Sequence, residues 1–129
     1  AGATLRTEIE GLEELVGRLG QELEQAVVLL NVCTGKVVVA GLGKSGLVGK
    51  KIAATFSSTG TPALFLHAAD SAHGDLGIIT KQDAVIALSY SGETAELVQM
   101  SGHLQATGTP FIAVTASYTH SMLPTNREV

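Results

Sequence analysis

The sequence predicts an α/β fold, with a parallel sheet sandwiched between helices in three layers. Three observations lead there. Short apolar runs (Lys36–Ala40, Pro62–Leu66, Ala84–Leu88 and Pro110–Val114) recur along the chain, separated by segments of helix or loop length. The runs are apolar on both faces, as strands buried in a parallel sheet are. The order strand, helix, strand then demands right-handed crossovers, which cover both faces of the sheet.

Taken in order, residues 4–31 read as one helix. Leu5, Ile9, Leu12, Val16, Leu19, Leu23, Ala26 and Leu30 form a heptad stripe, opposed by Glu8, Glu14, Gln21, Glu22 and Gln25. Gly11, Gly17 and Gly20 each weaken such a helix by up to about 1 kcal/mol, so it depends on packing against something. A helix docked on the core and a contact between subunits both fit. The stripe outruns what a small sheet can cover, which favours the subunit contact. Gly35 breaks the chain before the first strand, and a helix follows over about Ser45–Ser58. A Thr-Gly-Thr-Pro turn introduces the second strand, and the same turn introduces the fourth. Between strands two and three, residues 67–80 read as a polar loop, and Glu93–Ala106 as the helix before the fourth strand. The parallel core thus spans about residues 36–115. After Thr115 the pattern fades, and the chain is expected to end before its sheet is complete, as a C-terminally truncated piece of the fold.

At 129 residues the chain fits one domain, residues 1–129, and at 45% hydrophobic and 16% charged it is not disordered. Eight basic against twelve acidic side chains give a net charge of −4, which excludes a basic surface for nucleic acid. Apolar runs such as Ala26–Leu30 fall far short of the roughly 20 residues of a membrane span. The first thirty residues carry six glutamates and no apolar signal segment. A single cysteine, Cys33, allows neither an internal disulfide nor a Cys-based zinc site, and points to a reducing cytoplasm. Fifteen glycines mark loops where backbone must approach something closely.

In a parallel sheet ligands bind beyond the carboxyl ends of the strands, which selects three stretches. Gly41-Leu42-Gly43-Lys44-Ser45-Gly46 has the G-x-G-x-x-G spacing of a dinucleotide turn. The acid that should end the next strand is missing: that strand ends in Leu66-His67, with Asp70 three residues further. A P-loop also fails, because its first glycine falls at Val38. Helix-start amides with Lys44 and Ser45 still suit an anion, although glycines needed only for a tight turn remain the alternative. Ser89-Tyr90-Ser91-Gly92-Glu93-Thr94 sets hydroxyls and a glycine at the next helix start, more than a simple N-cap requires. Two such sites on successive crossovers suit a phosphorylated small molecule. In His73-Gly74-Asp75-Leu76-Gly77, His73 fits proton transfer near neutrality. His67, Asp70, His73 and Asp75 lack the fixed spacing of a metal site. Glu96 falls in the first turn of its helix, where by spacing alone it is a favourable charge. Cys33 and Tyr90 carry no catalytic signal.

Together these stretches resemble the sugar isomerase (SIS) domain family. The Ser89–Thr94 stretch resembles its phosphate loop. Gly43-Lys44-Ser45-Gly46, Thr59-Gly60-Thr61-Pro62 and His73–Gly77 are similar to its branch of aldose–ketose isomerases acting on pentose phosphates. The resemblance covers about Lys36–Thr115 and implies a flavodoxin-like sheet. It also implies interconversion of D-ribulose 5-phosphate and D-arabinose 5-phosphate through an enediol, for lipopolysaccharide precursor synthesis, with no cofactor and no metal. By match to the family, Ser45, Ser89, Ser91 and Thr94 would hold the phosphate, and Lys44, His73 and Glu96 would be catalytic. Lys44 would neutralise charge developing on the sugar oxygens. Family members continue into a Glu-containing loop and a histidine-bearing helix implicated in acid–base chemistry, and many carry CBS domains. The partners implied are a phosphosugar and further copies of the chain, as a dimer or tetramer through the N-terminal helix. A non-catalytic phosphosugar-sensing domain is the alternative, since SIS domains also occur in regulators.

Overall fold

None of the five residues Val37–Gly41 has a polar side chain, and all are buried; they form β1. The computed structural model describes residues 1–90, 95–115 and 127–128, with backbone alone for 71–73, 75 and 127–128. Before β1 come α1 (Gly2–Arg18) and α2 (Gln21–Asn31). After it come α3 (Gly43–Ser58), β2 (Ala63–His67) and two short 3-10 helices, η1 (Ala68–His73) and η2 (Asp75–Ile78). The chain continues with β3 (Ala84–Ser89), α4 (Ala95–Thr107), β4 (Phe111–Thr115) and β5 (Arg127–Glu128).

The five strands are parallel, in the order β2-β1-β3-β4-β5. Register is tight across the middle: Val39 is opposite both Phe65 and Ile86, and Ile86 is opposite Ile112. Side chains alternate between two cores, as the period of a strand requires. Val38, Ala40, Val85 and Ala87 face a cluster completed by Leu97, Met100 and Leu104 of α4 and by Ala68 of η1. Val37, Val39, Ile86 and Leu88 face the opposite cluster, built with Ala26 of α2 and Ala53 of α3. These are the three predicted layers. Leu97, Met100 and Leu104 are at most 1% exposed, and each such burial contributes about 1.5–3 kcal/mol.

The amino ends of β1 and β3 are tied by Asp83, 3% exposed. Its carboxylate accepts from the Lys36 ammonium at 2.7 Å, from the Lys36 amide at 2.9 Å and from the Thr80 amide at 2.8 Å. A Cβ on Gly35 would strike the same carboxylate, so the approach requires glycine there. Burial raises the Asp83 pKa, but the hydrogen bonds from Lys36 and Thr80 outweigh it and hold the carboxyl below its ordinary 3.8.

The expected single helix over 4–31 is two helices. Leu19 adopts an extended conformation, and Gly20, at φ −152° and ψ −134°, begins α2 without a side-chain cap. The break divides the heptad stripe. On α2, Ala26 is buried and Leu29 and Leu30 pack on the second cluster. On α1 no residue is buried, and Leu5, Ile9, Leu12 and Val16 are each more than half exposed. The loop expected at 67–80 is largely the two 3-10 helices, and β5 is a strand that the sequence pattern does not mark. Among the described residues, no helix is long and apolar enough to cross a membrane.

Candidate functional site

The site follows from strand order. β1 lies between β2 and β3, with Gly41 opposite both His67 and Leu88. The helix that leaves β1, α3, packs on one face of the sheet, and the helix after β3, α4, on the other. The chain therefore parts in opposite directions at two adjacent strand ends and leaves a crevice between them, the switch point where open α/β sheets bind ligands.

A cavity of about 250 Å³ occupies this crevice, with Leu42 and Leu97 on its walls. An adjoining lobe of about 300 Å³ reaches Val48, Val114 and Thr115. Lys44, Ser45, Leu88, Ser89 and Tyr90 line both. The second lobe alone reaches the lower end of small-molecule sites, about 300 Å³, and the first falls just below it.

Local sequence explains how Lys44 and Ser45 arrive there. Gly41 ends β1 so close to α3 that an added Cβ would meet Ser45 C, Ser45 O and Gly46 N, all at 3.0 Å. Gly43 opens α3 at φ +55°, a conformation that a side chain disfavours. The N-cap, Leu42, offers no side-chain oxygen, so the amides of the first turn are not capped by it and present the positive end of the helix. Lys44 is exposed and Ser45 half-buried. Across the crevice Ser89 ends β3 at 7% exposure, in register with Thr115 at the end of β4. None of the described lining residues of the two lobes is acidic. Among the described residues, one ammonium, four hydroxyls and a helix start thus converge without a carboxylate, which is an environment for an anion.

Of the predicted site residues, Lys44, Ser45 and Ser89 come together. Ser91 and Thr94 lie outside the described residues, as does the side chain of His73. Glu96 is half-buried in the first turn of α4 and is not among the described residues lining the two lobes. Its helix packs against η1, whose last residue is His73, so the elements carrying these two residues are neighbours. His67, at the end of β2, is engaged locally: its Nδ1 accepts from the Ala69 amide at 3.3 Å and caps η1, with the ring edge-on to Phe65. Sequence reasoning missed Tyr90 and Thr115. Tyr90 is 81% exposed and lines both lobes, and the signal for it was its place directly after Ser89 at a strand end.

The family model described as SIS domain matches residues 30–126. Arabinose 5-phosphate isomerase KdsD of Pseudomonas aeruginosa is 47% identical over 117 residues, 91% of this chain and 36% of that protein. The protein of the same name from Salmonella typhi is 48% identical over 118 residues, 92% of this chain and 36% of its own length. The chain therefore spans little more than a third of these relatives. The solved structure of E. coli CFT073 c3406 in complex with arabinose 5-phosphate superposes with a TM-score of 0.83 at 41% identity. That match covers 97% of this chain and 67% of the other.

Proposed function

The chain belongs to the SIS domain family, and from that premise we propose that it is the phosphosugar-binding domain, residues 1–129, of an aldose–ketose isomerase. Its substrates are D-ribulose 5-phosphate and D-arabinose 5-phosphate, and its place is in lipopolysaccharide precursor synthesis in the cytoplasm. One observation carries the reading: Lys44, Ser45 and Ser89 share a crevice lined, among its described residues, by no acid. The relatives named arabinose 5-phosphate isomerase, and the relative solved with that sugar phosphate bound, support the choice of substrate.

In this mechanism the phosphate binds at the start of α3, held by Ser45 and Ser89 together with Ser91 and Thr94. Lys44 is the catalytic cation. As a proton leaves C1 or C2 and negative charge grows on the sugar oxygens, an ammonium beside them stabilises the enediol more than the substrate. His73 and Glu96 handle protons or hydroxyls from the neighbouring elements η1 and α4. The active assembly is a homo-oligomer, a dimer or tetramer, joined through the N-terminal helix. The exposed stripe Leu5, Ile9, Leu12 and Val16 of α1 supports this, because a monomer leaves it in water.

Ribulose 5-phosphate added to the protein and followed by NMR tests the reading, with arabinose 5-phosphate as the expected product. Tight binding without conversion, in a protein that also carries the family's Glu-containing loop and histidine-bearing helix, would overturn the isomerase and leave a sensing domain.

A further inference from the structure

Two side chains that adjoin in sequence behave in opposite ways at the crevice. Ser89 is 7% exposed, whereas Tyr90 is 81% exposed and lies in neither hydrophobic cluster. The Tyr90 ring therefore contributes nothing to core packing, yet the residue borders both lobes of the cavity. The polar groups of the shared lining, Lys44, Ser45 and Ser89, account for an anion. Apart from Thr115 and Tyr90, what remains of the described walls is carbon: Leu88 in both lobes, Leu42 and Leu97 in one, Val48 and Val114 in the other. Inorganic phosphate gains nothing from such walls, but a phosphate ester with a carbon chain does. Tyrosine suits contact of this kind, because it supplies a large rigid surface with only two side-chain torsions to fix.

We infer that Tyr90 is a specificity-determining residue: its ring covers the carbon chain of a bound phosphate ester and so separates the ester from free phosphate. The inference rests on the phosphosugar reading above and adds to it the group that recognises the sugar part.

Calorimetric titration of the whole chain with D-arabinose 5-phosphate, and separately with inorganic phosphate, tests it. Tyr90→Ala is expected to weaken ester binding by about two- to tenfold, the range for one aromatic contact, and to leave phosphate binding unchanged. Tyr90→Phe keeps the ring and is expected to keep wild-type affinity for the ester. The thermal midpoint of both variants stays at the wild-type value, because the ring lies outside both clusters. An equal loss for both probes, no loss for either, or a Tyr90→Phe variant as weak as Tyr90→Ala would each overturn the assignment while leaving the phosphate site standing. A wild-type chain that binds neither probe would overturn the site and this inference together.

Discussion

Replacing Gly41 by alanine tests whether the glycine pattern exists to place α3 against β1. The new Cβ would lie 3.0 Å from Ser45 C, Ser45 O and Gly46 N. Carbon contacts are comfortable at about 3.5–4.0 Å, so a relative shift of roughly 0.5 Å is needed. No side chain can turn aside to absorb it, since all three atoms are backbone. Overpacking of this kind costs about 1–3 kcal/mol of stability. The displaced residue is itself Ser45, and losing one hydrogen bond to a charged group removes about 1.5–3 kcal/mol, so the predicted loss of affinity is on the order of tenfold or more. Gly46→Ala is the control. Its Cβ would meet Gly41 O at 3.4 Å and Phe65 Cζ at 3.5 Å, which is ordinary contact. Inside a helix alanine is favoured over glycine by up to about 1 kcal/mol, so this change is neutral or stabilising. Urea denaturation and calorimetry with arabinose 5-phosphate read both effects. If the two variants match each other in stability and affinity, the packing explanation of the motif is wrong.

Ser45→Ala combined with Ser89→Ala should weaken arabinose 5-phosphate binding, each lost bond to a charged group removing about 1.5–3 kcal/mol; unchanged calorimetric affinity would show that neither hydroxyl faces the anion. Lys44→Ala should lower kcat more than it raises KM if the ammonium acts on the enediol, and a pure KM effect in steady-state kinetics would contradict that role. Asp83→Ala should cost about 3–5 kcal/mol in urea denaturation, toward the lower figure because the Lys36 side chain keeps 28% exposure and can rehydrate. The Asp83 carboxyl is depressed in the folded state, so its contribution is complete above the unfolded value of about 3.9 and fades as pH falls below it. Wild type should therefore lose stability on acidification below about pH 4 more steeply than Asp83→Asn; parallel profiles would remove the clamp from the account. Finally, Ile9→Lys with Leu12→Lys should lower the molecular mass seen by sedimentation without moving the thermal midpoint of the α/β body, since neither side chain is buried; an unchanged mass would take α1 out of the interface.

The strands were legible because the sheet is buried on both faces: an apolar run is recognisable without knowing its partners, and all four came within a residue of their observed starts. The N-terminal helix was misjudged for the opposite reason. A heptad stripe continues smoothly through Leu19 and Gly20, and periodicity does not register the turn of backbone at Gly20 that lets α2 dock while α1 projects. The short turns of η1 and η2 were invisible because 3-10 helices have no long period to read. At the site, Lys44, Ser45 and Ser89 were identified by their places after strands. Thr115 was not, because it enters the cavity through its register with Ser89 across the sheet, and Tyr90 was passed over although it directly follows Ser89.

The same relations explain why a glycine motif can mislead about its ligand. In Gly41–Gly46, glycine answers the close approach of α3 to the end of β1 and the positive φ at Gly43, demands set by the strand–helix junction whatever anion is bound. Chemical identity has to come from the neighbouring strand end. In a dinucleotide fold that position carries an acid for ribose hydroxyls. Here the residue opposite Gly41 is His67, and its Nδ1 is committed to the amide of Ala69, so the position organises η1. Without that acid, what the described lining offers is an ammonium, hydroxyls, carbon walls and the exposed Tyr90. On the phosphosugar reading proposed above, the phosphate supplies the charge and the carbon chain of the ester meets Tyr90.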